Sequence, residues 1–165
     1  MVINVMTKKN EKNLPPCLIF IDKEGRWYHK GAEMIHRDFI QLFYQNMEYD
    51  STGRYVINWK GERCYVEVED TAFVVRRALY QEGDQDQNSR IILYLSDDTK
   101  EELTPETIYT GNNNVLYCRV KECAFPARFN RASYYQLAQY IEEEGGAYYL
   151  SLNGDKYKVL MTAQD

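Results

Sequence analysis

The sequence predicts an α+β fold made of two sequence-related halves, each a curved and mostly antiparallel sheet with one helix. Two observations support this fold class. One order of features occurs twice: a helix that opens with an arginine, a break at glycine, and two strands joined by a tight turn. Strand patterns also outnumber helical patterns, and their short connections favour antiparallel pairing. We interpret the repeated order as an ancient duplication.

The two copies cover residues 36–66 and 130–159. We divide the chain into a flexible N-terminal tail (1–14), an N-terminal repeat (15–82), and a connector with the C-terminal repeat packed on the first (83–165). The tail has its charges after the apolar stretch, an order that a signal peptide lacks. The polar run from Glu82 to Asn88 is the predicted connector.

In the first repeat, Asp22–Gly25 is a turn signal between two short strands. A helix is expected from about Met34 to Met47, with Ser51-Thr52-Gly53 closing it. Its apolar residues at helical spacing form one predicted buried stripe: Ile35, Phe39, Leu42 and Phe43. Residues rich in β-branched and aromatic side chains then predict three strands: Tyr55–Trp59, Arg63–Val68 and Phe73–Tyr80.

In the second half, alternation predicts strands at Arg90–Leu95 and Val115–Val120. Ser96–Glu102 is expected to be a charged turn, and a further strand is expected near Ile108. Asn130 is a typical N-cap for the second helix, which carries the apolar stripe Tyr134, Leu137, Ala138 and Ile141. Gly145-Gly146 is expected to end that helix as a left-handed C-cap.

Composition excludes several partner classes. The 165 residues carry a net charge of −5, and the positive side chains are dispersed rather than gathered in a stripe. Binding to a nucleic acid polymer is therefore not expected. No window approaches the roughly 18 consecutive apolar residues of a membrane span, so we expect a cytoplasmic protein. The sequence indicates no oligomeric state.

Four cysteines raise the question of metal or disulfide bonds. Cys118 and Cys123 are five residues apart, so in an unbroken strand their side chains would point to opposite faces. Cys17 and Cys64 stand singly among apolar neighbours, and the sequence has no Cys-x-x-Cys pair. We therefore expect reduced, mostly buried thiols, no metal and no cofactor.

Arginines at the two helix starts are the main candidate site. Arg37 and Arg131 occupy matching positions in the first turns, His36 precedes Arg37, and Arg128 stands just before the second helix. A cation beside the free N–H groups of a helix start is a good receptor for an anion. The alternative is that these arginines form ion pairs with one of three carboxylates, Glu67, Glu69 or Asp70, and link sheet to helix.

Aromatic and catalytic interpretations also stay open. A base or sugar ring of a ligand would stack on Trp27, Tyr134 or Tyr135, although such side chains more often belong to the core or to a sheet surface. Glu69 and Asp70 together with a histidine form a conceivable metal-dependent hydrolytic site. The sequence lacks the motifs of the common hydrolase and NTPase classes, and we favour a protein that is not an enzyme.

Several blocks together resemble the bacterial family known as domain of unknown function 1285. They include Gly25–Gly31, Ile35–Phe43, Tyr65–Asp70 and Ala127–Leu137, and the resemblance extends from about Pro15 to Leu160. It implies a duplicated fold whose second half is loosely similar to a pleckstrin-homology-like partial barrel. It further implies a small-ligand site between the halves and a link to signal transduction.

The resulting hypothesis is a ligand-sensing or regulatory module that binds an anionic, nucleotide-like small molecule between the repeats. The resemblance strengthens seven candidate binding residues: Trp27, Arg37, Glu69, Asp70, Arg128, Arg131 and Tyr135; His36 completes the set. The alternative is a protein-interaction module that binds a partner through a sheet edge or a pleckstrin-like groove.

Overall fold

The computed structural model describes residues 13–162, and the chain divides into two units, residues 1–72 and 73–165. Most of the predicted flexible tail, residues 1–12, lies outside the described residues. Two α-helices and sixteen strands occur among those described. This confirms the predicted α+β class.

The first unit contains one helix and one six-stranded sheet. Its elements are β1 (Pro16–Ile21), β2 (Trp27–His29), β3 (Ala32–Glu33), α1 (Arg37–Gln45), β4 (Met47–Tyr49), β5 (Tyr55–Trp59) and β6 (Glu62–Val68). The strand order is β3-β2-β1-β6-β5-β4. Strands β1 and β6 are parallel, and the other neighbours are antiparallel. Two distant parts of the sequence thus meet in the middle of this sheet.

Helix α1 buries a different stripe from the predicted one. Its buried side chains are Ile40 and Tyr44, and the Tyr44 hydroxyl donates a hydrogen bond to the Ala72 carbonyl oxygen at 2.7 Å. The predicted stripe begins with Ile35 and Phe39, which are 74% and 56% exposed. The expectation of a buried stripe was wrong because the helix is rotated toward its Ile40 side, which leaves an apolar face uncovered within the described residues.

The second unit contains one helix and two sheets. Its elements are β7 (Phe73–Gln81), β8 (Arg90–Leu95), β9 (Lys100–Glu102), β10 (Tyr109–Thr110), β11 (Leu116–Val120), β12 (Phe125–Phe129), α2 (Arg131–Ala138), β13 (Ile141–Glu144), β14 (Ala147–Leu152), β15 (Asp155–Lys158) and β16 (Leu160–Met161). The larger sheet has the order β16-β10-β11-β12-β7-β8-β9 and the smaller one β13-β14-β15. Lys100–Glu102, expected to belong to a charged turn, is therefore an edge strand.

Strand β7 belongs to the second unit, although the sequence placed it in the N-terminal repeat ending at residue 82. It pairs antiparallel with β8 and parallel with β12. The polar run after residue 81, interpreted as a connector between halves, joins two strands of one sheet. The two units meet in sequence between Ala72 and Phe73.

The repeated order is present in both units. Each helix is followed by an antiparallel three-strand ladder, β4-β5-β6 in the first and β13-β14-β15 in the second. The last turn of each ladder has two residues with positive φ, Lys60-Gly61 and Asn153-Gly154, as type I′ hairpins require. Ser51–Gly53 and Gly145–Gly146 connect strands rather than end helices. That expectation was wrong because a short strand separates each helix from its glycine break.

Two loops of the first unit share the sequence motif Asp-x-x-Gly-Arg and the same hydrogen-bond pattern. It occurs at Asp22–Arg26 and at Asp50–Arg54, and in each loop one carboxylate oxygen accepts two backbone N–H groups, from residues two and four further along. The other carboxylate oxygen accepts the arginine Nε–H at 2.8 Å. The glycine has positive φ in both loops. The aspartate therefore satisfies the backbone donors of a tight hairpin connection.

We expect Asp50→Asn to lower the free energy of unfolding by about 2 kcal/mol, because the Asp50 side chain is fully buried and its charge holds several donors. Burial alone would raise the pKa of Asp50, but hydrogen bonds from Thr52 and Arg54 hold it well below its usual range. This stabilisation is present above the unfolded-state pKa of about 4 and is lost as the pH falls below it.

Urea unfolding at neutral and acidic pH tests this prediction. The difference between the wild type and Asp50→Asn should shrink as the pH falls through about 4. Asp98→Asn is the control, because Asp98 is partly exposed and forms a longer, 3.5 Å ion pair with Arg76. We expect it to change stability by less than about 0.5 kcal/mol. Equal losses in the two variants would contradict the role assigned to Asp50.

Candidate functional site

The first unit has an open cavity of about 660 Å³ between helix α1 and one face of its sheet. Directly opposed residues of antiparallel strands point to the same face, and the pairs Ile57/Cys64 and Trp59/Glu62 of β5 and β6 both line it. The helix covers only part of this face. The full lining consists of Pro15, Cys17, Ile19, His29, Met34, Phe39, Phe43, Ile57, Trp59, Glu62, Arg63 and Cys64.

Three aromatic side chains dominate the apolar lining: Phe39, Phe43 and Trp59. Phe39 is 56% exposed and Trp59 is 37% exposed, so both rings are accessible to a ligand. The Phe43 ring stacks on the buried ring of Trp27, with 6.2 Å between the ring centroids. The cavity has the size and the mainly apolar lining typical of small-molecule sites.

Polar groups of the lining are few. Two of them can carry positive charge, His29 and Arg63, and one is a carboxylate, Glu62. Arg63 donates from Nε to Glu48 Oε1 at 3.0 Å. His29 is exposed at the end of β2. Lys60 is not part of the lining, but its Nζ lies 5.3 Å from the centre of the Trp59 ring, in cation–π geometry. An anionic group attached to an aromatic ring would meet complementary partners here.

Two of the four cysteines form a disulfide, Cys17–Cys64, which links β1 to β6 with Cα atoms 5.0 Å apart. The expectation that all four are reduced thiols was therefore wrong for this pair. They stand 47 residues apart in sequence, and the parallel pairing of β1 with β6 brings them together. Cys118 is a buried free thiol whose pKa is raised by burial, and Cys123 is an exposed free thiol.

The sequence-predicted site residues of the first unit lie outside this lining. Trp27 is 1% exposed, and its ring packs against Phe43 and Tyr44 as part of the core. His36 is the N-cap residue of α1, although its side chain forms no capping hydrogen bond. Arg37 begins the helix. The structure places them around α1 but not in the cavity.

The two carboxylates proposed for binding or catalysis follow β6. The Glu69 side chain accepts a hydrogen bond from the backbone N–H of Lys23 at 2.8 Å, which ties it to the first Asp-x-x-Gly-Arg loop. Asp70 is half-buried. Among residues 13–162, no group of three or more His, Cys, Asp or Glu side chains is arranged to hold a metal ion.

In the second unit, α2 carries two of the predicted site residues on one face. The Arg131 guanidinium lies 5.8 Å from the centre of the Tyr135 ring, one turn further along the helix. Tyr135 is 58% exposed. Arg128 lies in β12, opposite Tyr117 of β11. Asn130 accepts the backbone N–H of Ser133 at 2.9 Å, which confirms the predicted N-cap. A shared site formed by Arg37, Arg128 and Arg131 stays a prediction.

Sequence reasoning missed the aromatic cavity, although part of the signal was present. Phe39 and Phe43 stand four apart on α1 and were assigned to a buried stripe. Trp59 stands at the end of a predicted hairpin strand, where its orientation depends on register.

Neither α-helix in the described part of the chain is long and apolar enough to span a membrane.

Comparisons with known proteins bear on the fold. No family model and no curated protein matches the chain. A DUF1285 family protein from Silicibacter pomeroyi DSS-3 is similar in structure, with a TM-score of 0.72 and 16% sequence identity over 90% of this chain and 84% of that chain. Another, from Shewanella baltica OS155, has a TM-score of 0.59 and 18% identity over 74% of this chain and 91% of that chain. The chain therefore has the fold of DUF1285 family proteins, as the sequence resemblance predicted.

Proposed function

We propose that this chain, with the fold of DUF1285 family proteins, is a non-enzymatic module that binds an anionic, aromatic small molecule in the cavity of its first unit. The observation that carries the proposal is the cavity lining, in which Phe39, Phe43 and Trp59 surround an open apolar space. A nucleotide-like molecule has the required ring and charge. Binding would serve a sensing or regulatory role, in keeping with the proposed link to signal transduction.

The ligand class follows from the chemistry of the lining. Aromatic rings and apolar side chains favour a planar, poorly hydrated body, because its burial removes apolar surface from water. The adjacent groups that can carry positive charge, His29, Lys60 and Arg63, favour an anionic substituent. This proposal keeps the ligand class inferred from the sequence and places it in the first unit.

Trp59 provides a direct binding signal. The chain has two tryptophans. Trp59 lines the cavity, whereas Trp27 is buried in the core. A ring stacked in the cavity should therefore change the emission of Trp59 while that of Trp27 stays constant. We would titrate mononucleotides, cyclic nucleotides, dinucleotides and aromatic carboxylates, and repeat the titration with Trp59→Phe, in which the signal should disappear.

Phe39→Ala should weaken binding of any ligand found in this way by about tenfold, because it removes one exposed ring of the cavity. Tyr148→Ala is the matched control, since Tyr148 is 53% exposed and belongs to the second unit. Calorimetry on the three proteins measures the effect. If Phe39→Ala binds as tightly as the wild type, the cavity is not the site.

Arg131→Ala separates this proposal from the site predicted between the repeats. Binding in the cavity should be unaffected by the substitution, because Arg131 is not part of the lining. A ligand held by the arginines of both helix starts should bind more weakly. An effect of Arg131→Ala without an effect of Phe39→Ala would favour the arginine site and contradict the cavity proposal.

A protein partner is the second candidate. The observation in its favour is the exposed apolar face of the α1 region, where Ile35 is 74% exposed and Phe39 is 56% exposed. A partner helix or strand could cover such a face. Ile35→Lys should then abolish co-purification of a specific partner while leaving small-molecule titrations unchanged, because Ile35 does not line the cavity.

A further inference from the structure

The disulfide of the first unit is part of the cavity wall. Both Cys17 and Cys64 line the cavity, and both are partly exposed. The neighbouring lining residue on the β1 side is Pro15, and on the β6 side Arg63. A small thiol compound that enters the cavity therefore has access to the bond.

The strand segment that carries Cys17 has an irregular hydrogen-bond pattern. The backbone N–H of Tyr65 donates to the Pro15 carbonyl oxygen at 3.0 Å, and that of Lys30 donates to the Leu18 carbonyl oxygen at 3.0 Å. Pro15 and Pro16 have no N–H group to donate. Between the pairs Pro16/Tyr65 and Phe20/Glu67, β1 advances four residues while β6 advances two, so the ladder is interrupted. Leu18, inside this bulge, has a φ of +60°. The Cys17–Cys64 bond therefore bridges β1 and β6 where their pairing is irregular.

We propose that the Cys17–Cys64 bond is a redox switch for ligand binding in this cavity, with the oxidised form competent to bind. The inference rests on the proposed function and adds its regulation. In the oxidised form the bond holds the Pro15 segment against β6 and completes the wall. In the reduced form the Pro15 segment keeps its hydrogen bond from the Tyr65 N–H but loses the covalent link, and this side of the cavity wall becomes mobile. The reduced protein would regain binding when a small-molecule disulfide, such as oxidised glutathione, accepts two electrons and two protons from the cysteine thiols and closes the bond.

The chemistry is thiol–disulfide exchange with a dithiol as co-reactant. One thiolate of the dithiol attacks Sγ of Cys17 or Cys64, the Sγ–Sγ bond breaks, and a mixed disulfide forms. The second thiolate of the dithiol then displaces the protein sulfur. The products are two cysteine thiols and the oxidised, cyclic dithiol, so two electrons and two protons pass to the protein.

Amide hydrogen exchange tests the switch without knowledge of the ligand. The oxidised protein and the protein reduced with dithiothreitol would be compared peptide by peptide. Reduction should increase exchange in residues 17–21 and 62–66, whereas helix α2 of the second unit should be unchanged. Cys17→Ser/Cys64→Ser should behave like the reduced form with or without dithiothreitol. Cys123→Ser, which alters an exposed free thiol, should retain the full redox response.

Binding is tested with anilinonaphthalene sulfonate, an aromatic anion of the proposed ligand class. Reduction should weaken its saturable binding by about tenfold, with a far-UV circular dichroism spectrum that stays native. Equal affinity in the two redox states, or equal exchange of the two strand segments, would overturn the switch. Loss of the native spectrum on reduction would also overturn it, because the bond would then be a structural staple.

The two proposals fail in distinguishable ways. If the oxidised protein binds neither this probe nor any ligand of the panel, the proposed function fails. The exchange experiment then still decides whether the bond controls the cavity wall. If the probe binds equally in both states and Phe39→Ala weakens it, the binding site stands and only its redox control is wrong.

Discussion

Trp27→Ala is expected to lower the free energy of unfolding by about 4 kcal/mol. Trp27 is 1% exposed, and its ring packs at 4.7 Å against Tyr44 and at 6.2 Å against Phe43, measured between centroids. Alanine would leave a cavity between β2 and α1 that rigid neighbours cannot fill. Urea unfolding of the variant and the wild type measures the loss.

Trp27→Phe serves as the control for this prediction. The buried Trp27 Nε1–H has no hydrogen-bond partner among the described residues. Phenylalanine keeps most of the packing and removes the unsatisfied donor, so we expect a loss below about 2 kcal/mol. A stable Trp27→Ala protein that no longer binds a ligand would instead support the stacking role inferred from the sequence.

Cys17→Ser/Cys64→Ser should also lower the free energy of unfolding by about 4 kcal/mol. The bond joins residues 47 positions apart, and closing a loop of that length removes chain entropy from the unfolded state. Urea unfolding without reductant measures the difference, and Cys123→Ser, which removes a free thiol, should stay within about 0.5 kcal/mol of the wild type.

Reduction provides an independent measurement of the same quantity. The wild type in dithiothreitol should have the stability of the double serine variant, and that variant should not respond to the reductant. A loss below about 1 kcal/mol would mean that the unfolded chain gains little freedom when the bond is removed, contrary to the entropic account. The redox switch requires the reduced first unit to stay folded despite this loss, which the native far-UV circular dichroism spectrum tests.

Local features were the most predictable part of the fold. The positive-φ turns at Lys60-Gly61 and Asn153-Gly154, the Asn130 cap and the turn beginning at Asp22 each depend on a few adjacent residues. The repeated order of helix and strands was visible for the same reason. Such features need no information about distant parts of the chain.

The helix ends and the buried face of α1 were less predictable. Met47 and Ile141 continue the apolar spacing of their helices, yet each belongs to a short strand, β4 or β13, that pairs with the following strand. Hydrophobic spacing alone does not separate these outcomes, because a short apolar segment satisfies both patterns. Packing of Ile40 and Tyr44 selected the buried face.

The candidate site depends on long-range pairing. Parallel alignment of β1 with β6 places Cys17 beside Cys64, and the register of β5 with β6 turns Trp59 and Cys64 toward one face. None of these relations is encoded in neighbouring residues. A shift of one residue in either pairing would send the same side chains to the opposite face.

Sequence patterns were sufficient to predict the α+β class, the duplicated helix-and-ladder order, the two hairpin turns and the Asn130 N-cap, because these features arise from interactions within a few residues. Long-range packing was needed to pair Cys17 with Cys64, to bury Trp27 in the core, and to place Phe39 and Trp59 at a cavity. Each of these outcomes requires contacts between segments distant in sequence, where packing and strand register select one arrangement.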